Sequence, residues 1–420
     1  MSTTDTQFLE DFAEMSRFGA TPGGGVDRQA GTQADHATRK WFGDWLARHG
    51  FEETVDDAGN QFGTVELNPG APYVLVGSHL DSQPLAGRYD GAYGVLAAAY
   101  ACARVAEEFG AGTQAPAYNL AVVNWFNEEG SRFAPSMMGS SVFTGKMPLE
   151  SALATTDGGG ITVGQALAGG HRRPDGKAPG LASVALYAEI HIEQGRTLEE
   201  SGTDVGIVHR TWAASKYRVT VDGAQSHTGA TRMEDRRDAL YGAALVITAA
   251  RELTAEFEPG LLHTSVSEMN VLPNSPVTVA RQVLMNLDLR SPDEDVLARA
   301  VALLDKRIID AAESSRTAIA LELTHSWGLV GYQPAGVELG RKSAEHLGFT
   351  HADVMTVAGH DSTNLKDAVP TVMLFVPSVE GISHNEAEYT RDDDALRGME
   401  LLTEVTRRLA RGDLRKENPR

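Results

Sequence analysis

Four short apolar runs in this chain each lead into a segment rich in metal-ligand side chains, and that repetition restricts the fold more than any other feature. Tyr73-Val74-Leu75-Val76-Gly77 delivers Ser78-His79 at its carboxyl end. Tyr118 to Phe126 ends at Asn127-Glu128-Glu129-Gly130, Tyr187 to Ile192 carries His191, and Thr371 to Val376 precedes Gly381-Ile382-Ser383-His384-Asn385. Short apolar runs bounded by turn signals are the pattern of buried strands. Between the first two lies an Ala-rich helix pattern over 91–109. Amphipathic helices are predicted over 6–17 and 33–49, the second closed by Gly50 as a C-cap. Strands alternating with helices make an open α/β sheet, which binds its ligands outside the carboxyl ends of the strands.

Between about 211 and 329 the texture changes. Lys216 to Val221, Gln282 to Leu289 and Thr317 to Leu323 alternate polar and apolar residues, and long helical patterns separate them near 236–257 and 293–315. This is the pattern of a compact α+β unit inserted into the first domain. At 420 residues, two domains are expected on length alone. The Gly-, Thr- and Pro-rich segment 155–180 reads as a surface excursion.

The residues at the ends of the runs suggest two divalent ions. His79 can ligate through one ring nitrogen while Asp81, on the same side of an extended chain, accepts the other ring proton. Asp90, in Arg-Tyr-Asp-Gly before a helix, is the carboxylate that bridges both ions. Glu128 and Glu129 are adjacent, so their side chains diverge. Glu129 ligates, and Glu128 faces the water and moves its proton to the leaving nitrogen. His191 supplies a second nitrogen to the first ion and His384 completes the second. Ions about 3.5–4 Å apart activate water near neutral pH, as amide hydrolysis requires. His209, His263, His351 and His360 read as ordinary surface or hydrogen-bonded histidines, with His360-Asp361-Ser362 near the site. Cys102 is the only cysteine, in a buried helix pattern, so neither an intrachain disulfide nor a thiolate metal cage is available.

In the inserted unit, Ser226-His227-Thr228-Gly229 is either a turn with a capping serine or a source of a neutral donor for an oxyanion. Arg290, ending Leu287-Asp288-Leu289-Arg290, can clamp a substrate carboxylate. The formal charge of −20, spread along the chain, argues against nucleic-acid partners. A start without a basic segment and apolar run, and the absence of any stretch near 18 apolar residues, point to a cytoplasmic protein with no membrane role.

Taken together, these signatures resemble the dinuclear amidohydrolase branch of the zinc-exopeptidase superfamily: N-carbamoyl-L-amino-acid hydrolases, β-ureidopropionases and allantoate amidohydrolases. The resemblance runs from Gly23-Gly24-Gly25-Val26 to Ser383-His384. Asn127-Glu128-Glu129-Gly130-Ser131-Arg132-Phe133 and His191-Ile192-Glu193-Gln194-Gly195 are specific to the branch. It implies an α/β, mixed-sheet catalytic domain over 1–210 and 330–420, and an α+β lid and dimerisation domain over 211–329. It also implies metal ligands at His79, Asp90, Glu129, His191 and His384, with Glu128 as general base. Gln194, His227 and Arg290 would contact substrate, with His227 offered to the partner subunit of a homodimer.

Two positions depart from the branch's pattern. Val277 stands thirteen residues before Arg290, where an asparagine is usual, and Glu380 stands where many relatives have glycine. Both bear on substrate and leave the metal ligands alone.

The expected activity is removal of the carbamoyl group from N-carbamoyl amino acids, a small-molecule reaction using two divalent ions per subunit. Zinc, manganese, cobalt and nickel all suit His and carboxylate ligands. The alternatives are an N-acyl-amino-acid amidase, or a catalytically idle binding protein of the same fold.

Overall fold

The computed structural model describes residues 3–112, 116–170, 174 and 176–414. The chain divides into two compact units, one of Met1–His209 with Tyr332–Arg420 and one of Arg210–Gly331.

The first unit is built on an eight-stranded mixed sheet. Its strands are β1 (Glu52–Val55), β2 (Gln61–Val65), β3 (Tyr73–His79), β4 (Asn119–Trp125), β5 (Val184–Ile192), β6 (Val205–Thr211), β13 (His351–Thr356) and β14 (Thr371–Val376), numbered along the whole chain. Their order is β1-β2-β4-β3-β5-β14-β6-β13. The central four strands are parallel, while β1, β2 and β6 pair antiparallel beside them. Both faces of the centre are covered, which explains the uninterrupted apolar runs. Val74, Val76, Leu120 and Val122 pack into one core with the helices Ala92–Ala111 and Asp392–Arg411. The alternate residues Leu75, Ala121, Val123 and Trp125 pack into another with Phe62 and Tyr187.

Helix Gln33–Arg48 starts at Thr32, whose side chain accepts from the Asp35 amide, and gives way to Gly50 at φ +80°. Cys102 is fully buried in helix Ala92–Ala111. The segment 155–180 departs from its expectation as a surface excursion. Val163 and Ala166 are buried against Phe126 and Phe133, because helix Val163–Leu167 presents apolar residues inward. Residues 171–173 and 175 of that segment lie outside the described residues.

The second unit is a two-layer α+β structure. Strands β7 (Ala213–Asp222), β9 (His263–Leu272), β11 (Gln282–Ser291) and β12 (Ala318–Trp327) form an antiparallel sheet in the order β12-β7-β11-β9. Val219, Val221, Val283, Met285, Leu287 and Leu289 point to one face. There they meet Ala243 and Val246 of helix Ala239–Glu252 and Leu297, Ala300 and Leu304 of helix Glu294–Ser315. Arg218, Asp222 and Asn286 are exposed, as period-two alternation requires. Two short strands, β8 (Ser226–His227) and β10 (Thr278–Val279), pair separately. Among the described residues no helix is long and apolar enough to cross a membrane.

Candidate metal centre

The carboxyl ends of β3, β4 and β5 bring the ligand candidates together. His79 is the last residue of β3 and His191 the last but one of β5. Asp90 sits just before helix Ala92–Ala111, separated from it by Gly91 at φ +63°. A Cβ on Gly91 would lie 2.3 Å from the His79 ring, so only glycine lets this helix start so close to the ligand. Two groups able to hold a cation result, His79–Asp90–His191 and Asp90–Glu129–His384, and Asp90 belongs to both. Its Oδ1 lies 3.4 Å from His79 Nε2 and 3.0 Å from His191 Nε2, and its Oδ2 lies 3.4 Å from His384 Nε2. Glu129 Oε2 is 3.4 Å from the same His384 nitrogen.

The surroundings aim the ligand atoms inward. His79 Nδ1 lies 3.0 Å from the Asp81 carbonyl oxygen and His191 Nδ1 lies 2.9 Å from that of Ile192, so both rings carry the Nδ1 proton and turn Nε2 to the site. His79 Nε2 is buried without a hydrogen-bond partner among the described residues. Gln83 fixes Glu129, its amide N–H donating to Oε1 and its Nε2 to Oε2. Asn127, Gln194 and His384 all hold left-handed backbone, at φ +54°, +57° and +54°. Such strain concentrates where a side chain must be aimed.

The charge balance fits divalent cations. Asp81, Asp90, Glu128, Glu189, Asp361 and Glu388 are all buried. Burial, reinforced by Asp361, Glu129 and Asp90, pushes the Glu128 carboxyl well above its usual range against the pull of His79. Burial and Asp90 push Glu129 up to about 7. Burial alone would lower the His79 ring and raise Asp90, but contact between carboxylates and histidines wins in both, holding His79 well up and Asp90 well down. So many acids gathered around neutral-capable histidines make a donor set suited to a pair of divalent ions.

Glu128 lies beside the ligand groups, its Oε2 3.5 Å from His79 Nε2. Asp81 differs in its partner atom from the sequence expectation. Its carboxylate stands 3.7 Å from His79 Nδ1, which bonds the Asp81 main-chain carbonyl instead. The carboxylate accepts the amides of Glu128 and Glu129, each at 3.2 Å. The backbone carbonyl of Asp81 stands nearer the ring than its side chain does, leaving the carboxylate to hold the glutamate loop.

Gln194 Nε2 donates to Asp90 Oδ2 at 2.8 Å and to Ser383 Oγ at 3.0 Å, and its Oε1 is buried without a donor among the described residues. The His360 ring packs 4.5 Å from that of His191. Glu380 has an exposed side chain and left-handed backbone at φ +55°, a conformation that glycine takes without strain.

In the second unit, Arg290 donates through Nε and Nη2 to Asp288 Oδ2, at 2.9 and 2.6 Å, because residues two apart on a strand share a face. This ion pair engages donors that a bidentate clamp on a carboxylate would use. His227 is exposed, and its Nδ1 accepts the amides of Gly229 and Ala230 at 3.0 and 3.1 Å, so a neutral ring presents Nε2–H.

Sequence reasoning missed Gln83, Ser383 and Glu388. Glu388 is buried, accepting the amides of Tyr89 and Asp90 through Oε1 and the Ser383 hydroxyl through Oε2. Four residues after His384 in a polar loop, it looks like a solvated acid, and only its proximity to a ligand hinted otherwise.

Comparison with known proteins accords with this geometry. Residues 75–408 match the model of peptidase family M20/M25/M40. The N-carbamoyl-L-amino-acid amidohydrolase of Rhizobium meliloti is 34% identical over 394 residues, covering 94% of this chain and 93% of its own. The allantoate amidohydrolase of Bacillus subtilis is 31% identical over 423 residues, covering 96% and 97%. Among solved structures, a hydantoinase/carbamoylase-family amidase of Burkholderia vietnamiensis superposes with a TM-score of 0.88 at 35% identity, over 97% of each chain. With its mixed sheet, its paired ligand groups and these relatives, the chain belongs to peptidase family M20/M25/M40 as an amidohydrolase of the carbamoylase and allantoate amidohydrolase branch.

Proposed function

We propose that this chain hydrolyses the carbamoyl group of N-carbamoyl amino acids, consuming water and releasing the amino acid, ammonia and carbon dioxide. The observation that carries the reading is Asp90 shared between two ligand groups, with Glu128 beside them. His79, Asp90 and His191 would hold one divalent ion, and Asp90, Glu129 and His384 a second. When bound, such ions supply Lewis-acid activation of water and of the scissile carbonyl. Glu128 takes the proton from water and returns it to the departing nitrogen. His227 donates its Nε2–H to the developing oxyanion. Arg290 receives the substrate carboxylate, with Asp288 giving up part of its ion pair.

Gln194 supports a carbamoyl over an acyl substrate. Its Nε2 is committed to Asp90 and Ser383, which fixes the amide so that Oε1 is an acceptor waiting for a donor. A terminal ureido NH2 supplies that donor and an acyl methyl does not. Buried unpaired acceptors discriminate strongly against analogues lacking the donor. The names of relatives leave allantoate within reach, because it too ends in ureido groups. Reconstituted protein should release ammonia from N-carbamoyl amino acids faster than it cleaves N-acetyl amino acids. A preference for the acetyl series would sink the reading.

The second unit acts in this reading as lid and pairing domain of a homodimer. Exposed His227, carried on a short strand away from the metal ligands in sequence, supports its use by a neighbouring copy. A second reading, an amidase for bulkier apolar acyl groups, draws on Val277. This residue is 62% exposed, and its carbonyl accepts the Thr228 amide next to His227. The same substrate panel separates the two.

A further inference from the structure

The two ligand groups are supported differently. His79 and His191 stand in strands at the centre of the sheet, both 1% exposed. The His384 side chain is 49% exposed, on a loop without regular structure and with left-handed backbone. Something outside the ligands must hold His384 against Asp90.

Glu388 does so geometrically. One oxygen takes the amides of Tyr89 and Asp90, at 2.9 and 3.0 Å, and the other takes the Ser383 hydroxyl at 3.1 Å. Ser383 Oγ also lies 3.0 Å from Asp90 Oδ2, the oxygen that faces His384. A single buried side chain thereby ties the Asp90 loop to the residue preceding His384. The fit is close: a Cβ on Gly87 would lie 2.1 Å from the Glu388 carboxylate.

We infer that Glu388 is a positioning residue that sets retention of the ion held by Asp90, Glu129 and His384, and has little influence on the ion held by His79, Asp90 and His191. The inference rests on the two-ion reading above. Residues supporting ligands are worth about 10- to 100-fold in metal affinity. Replacing Glu388 with alanine leaves the two amides without their acceptor, leaves the Ser383 hydroxyl only Asp90 to meet, and frees the His384 loop. Glutamine keeps the arrangement, with Oε1 accepting both amides and Nε2 donating to Ser383 Oγ, whose own proton goes to Asp90.

The test is metal stoichiometry and stepwise affinity by chelator competition on intact protein, using Zn²⁺ alone, with far-UV circular dichroism as the folding check. Wild type and Glu388→Gln should each bind two ions. Glu388→Ala should bind the first ion as wild type does and the second about 10- to 100-fold more weakly. Ser383→Ala, which leaves the backbone contacts of Glu388 intact, should weaken the second ion less, and it carries the test with Glu388→Gln if the alanine variant fails to fold. Unchanged second-ion affinity in Glu388→Ala, equal weakening of both ions, or a Glu388→Gln protein behaving like alanine each overturns the inference. Wild type binding fewer than two ions would instead overturn the two-ion reading itself.

Discussion

The His79–His191 side of the candidate centre and its His384 side use similar chemistry on opposite kinds of support. On the first side, parallel strands covered on both faces hold the ligand backbone, and main-chain carbonyls set the ring tautomers. On the second, the arrangement depends on individual polar contacts: Gln83 donates to Glu129, Ser383 donates to Asp90, and Glu388 accepts from Ser383. A sheet supplies rigidity through packing that any apolar side chain of the right size can provide, whereas a loop needs individual polar partners. Asp90 joins the two sides, so each depends on it.

Perturbing these residues in turn can break the comparison. The largest effect is expected from Asp90→Ala, which removes the shared carboxylate. Both ions should be lost and turnover should become undetectable, while His384→Ala should lose one ion only. Elemental analysis after dialysis distinguishes them, and Asp90→Ala protein retaining two ions would disprove sharing.

Next comes Glu128→Gln. Its turnover should fall about a thousand-fold or more with both ions retained, since the amide cannot move the proton. If Glu128→Gln loses metal and Glu129→Gln keeps it, the two roles are reversed.

His227→Ala should also be nearly inactive, with metal content unchanged, because it lies in the other unit. Mixing it with Glu128→Gln should restore part of the activity as subunits exchange. No recovery, despite exchange demonstrated by differential labelling, would mean that His227 serves its own chain.

The smallest effect is expected from Val277→Asn. An added polar contact should shift the ratio of kcat/KM between N-carbamoyl and N-acyl substrates by about 0.5–1.5 kcal/mol without changing metal content. A ratio unchanged across the panel would remove Val277 from any account of selectivity.

Legibility followed the physics of each feature. The central strands were visible because burial on both faces makes apolar runs, and the helices because a 3.6-residue period survives in composition. The hairpin of β1 and β2 escaped notice: Glu52-Glu53-Thr54-Val55 is an edge strand held by pairing with β2, and Gln61-Phe62-Gly63-Thr64-Val65, though buried over its first three residues, mixes polar residues and a glycine with Phe62 and takes its strand character from pairing with β4. Strand β9 fits the expected order of the unit but had no alternating run to give its bounds, since its pattern is largely exposed and it is held by its ladder to β11. The burial of Val163 and Ala166 was hidden by the glycines and threonines around them.

From the sequence alone came the ligand types, their order and their placement after apolar runs, because side-chain chemistry and hydrophobic period are local properties. Tertiary structure alone decided that the main-chain carbonyl of Asp81 rather than its carboxylate meets His79, that Arg290 is engaged by Asp288, and that Glu388 spans two loops. These are contacts within a few ångströms between groups up to about 300 residues apart in sequence, as in the bond from the Asp90 amide to Glu388. No local periodicity encodes such a distance. It is set by how the strands order in the sheet and how closely the glycine-bearing loops can approach.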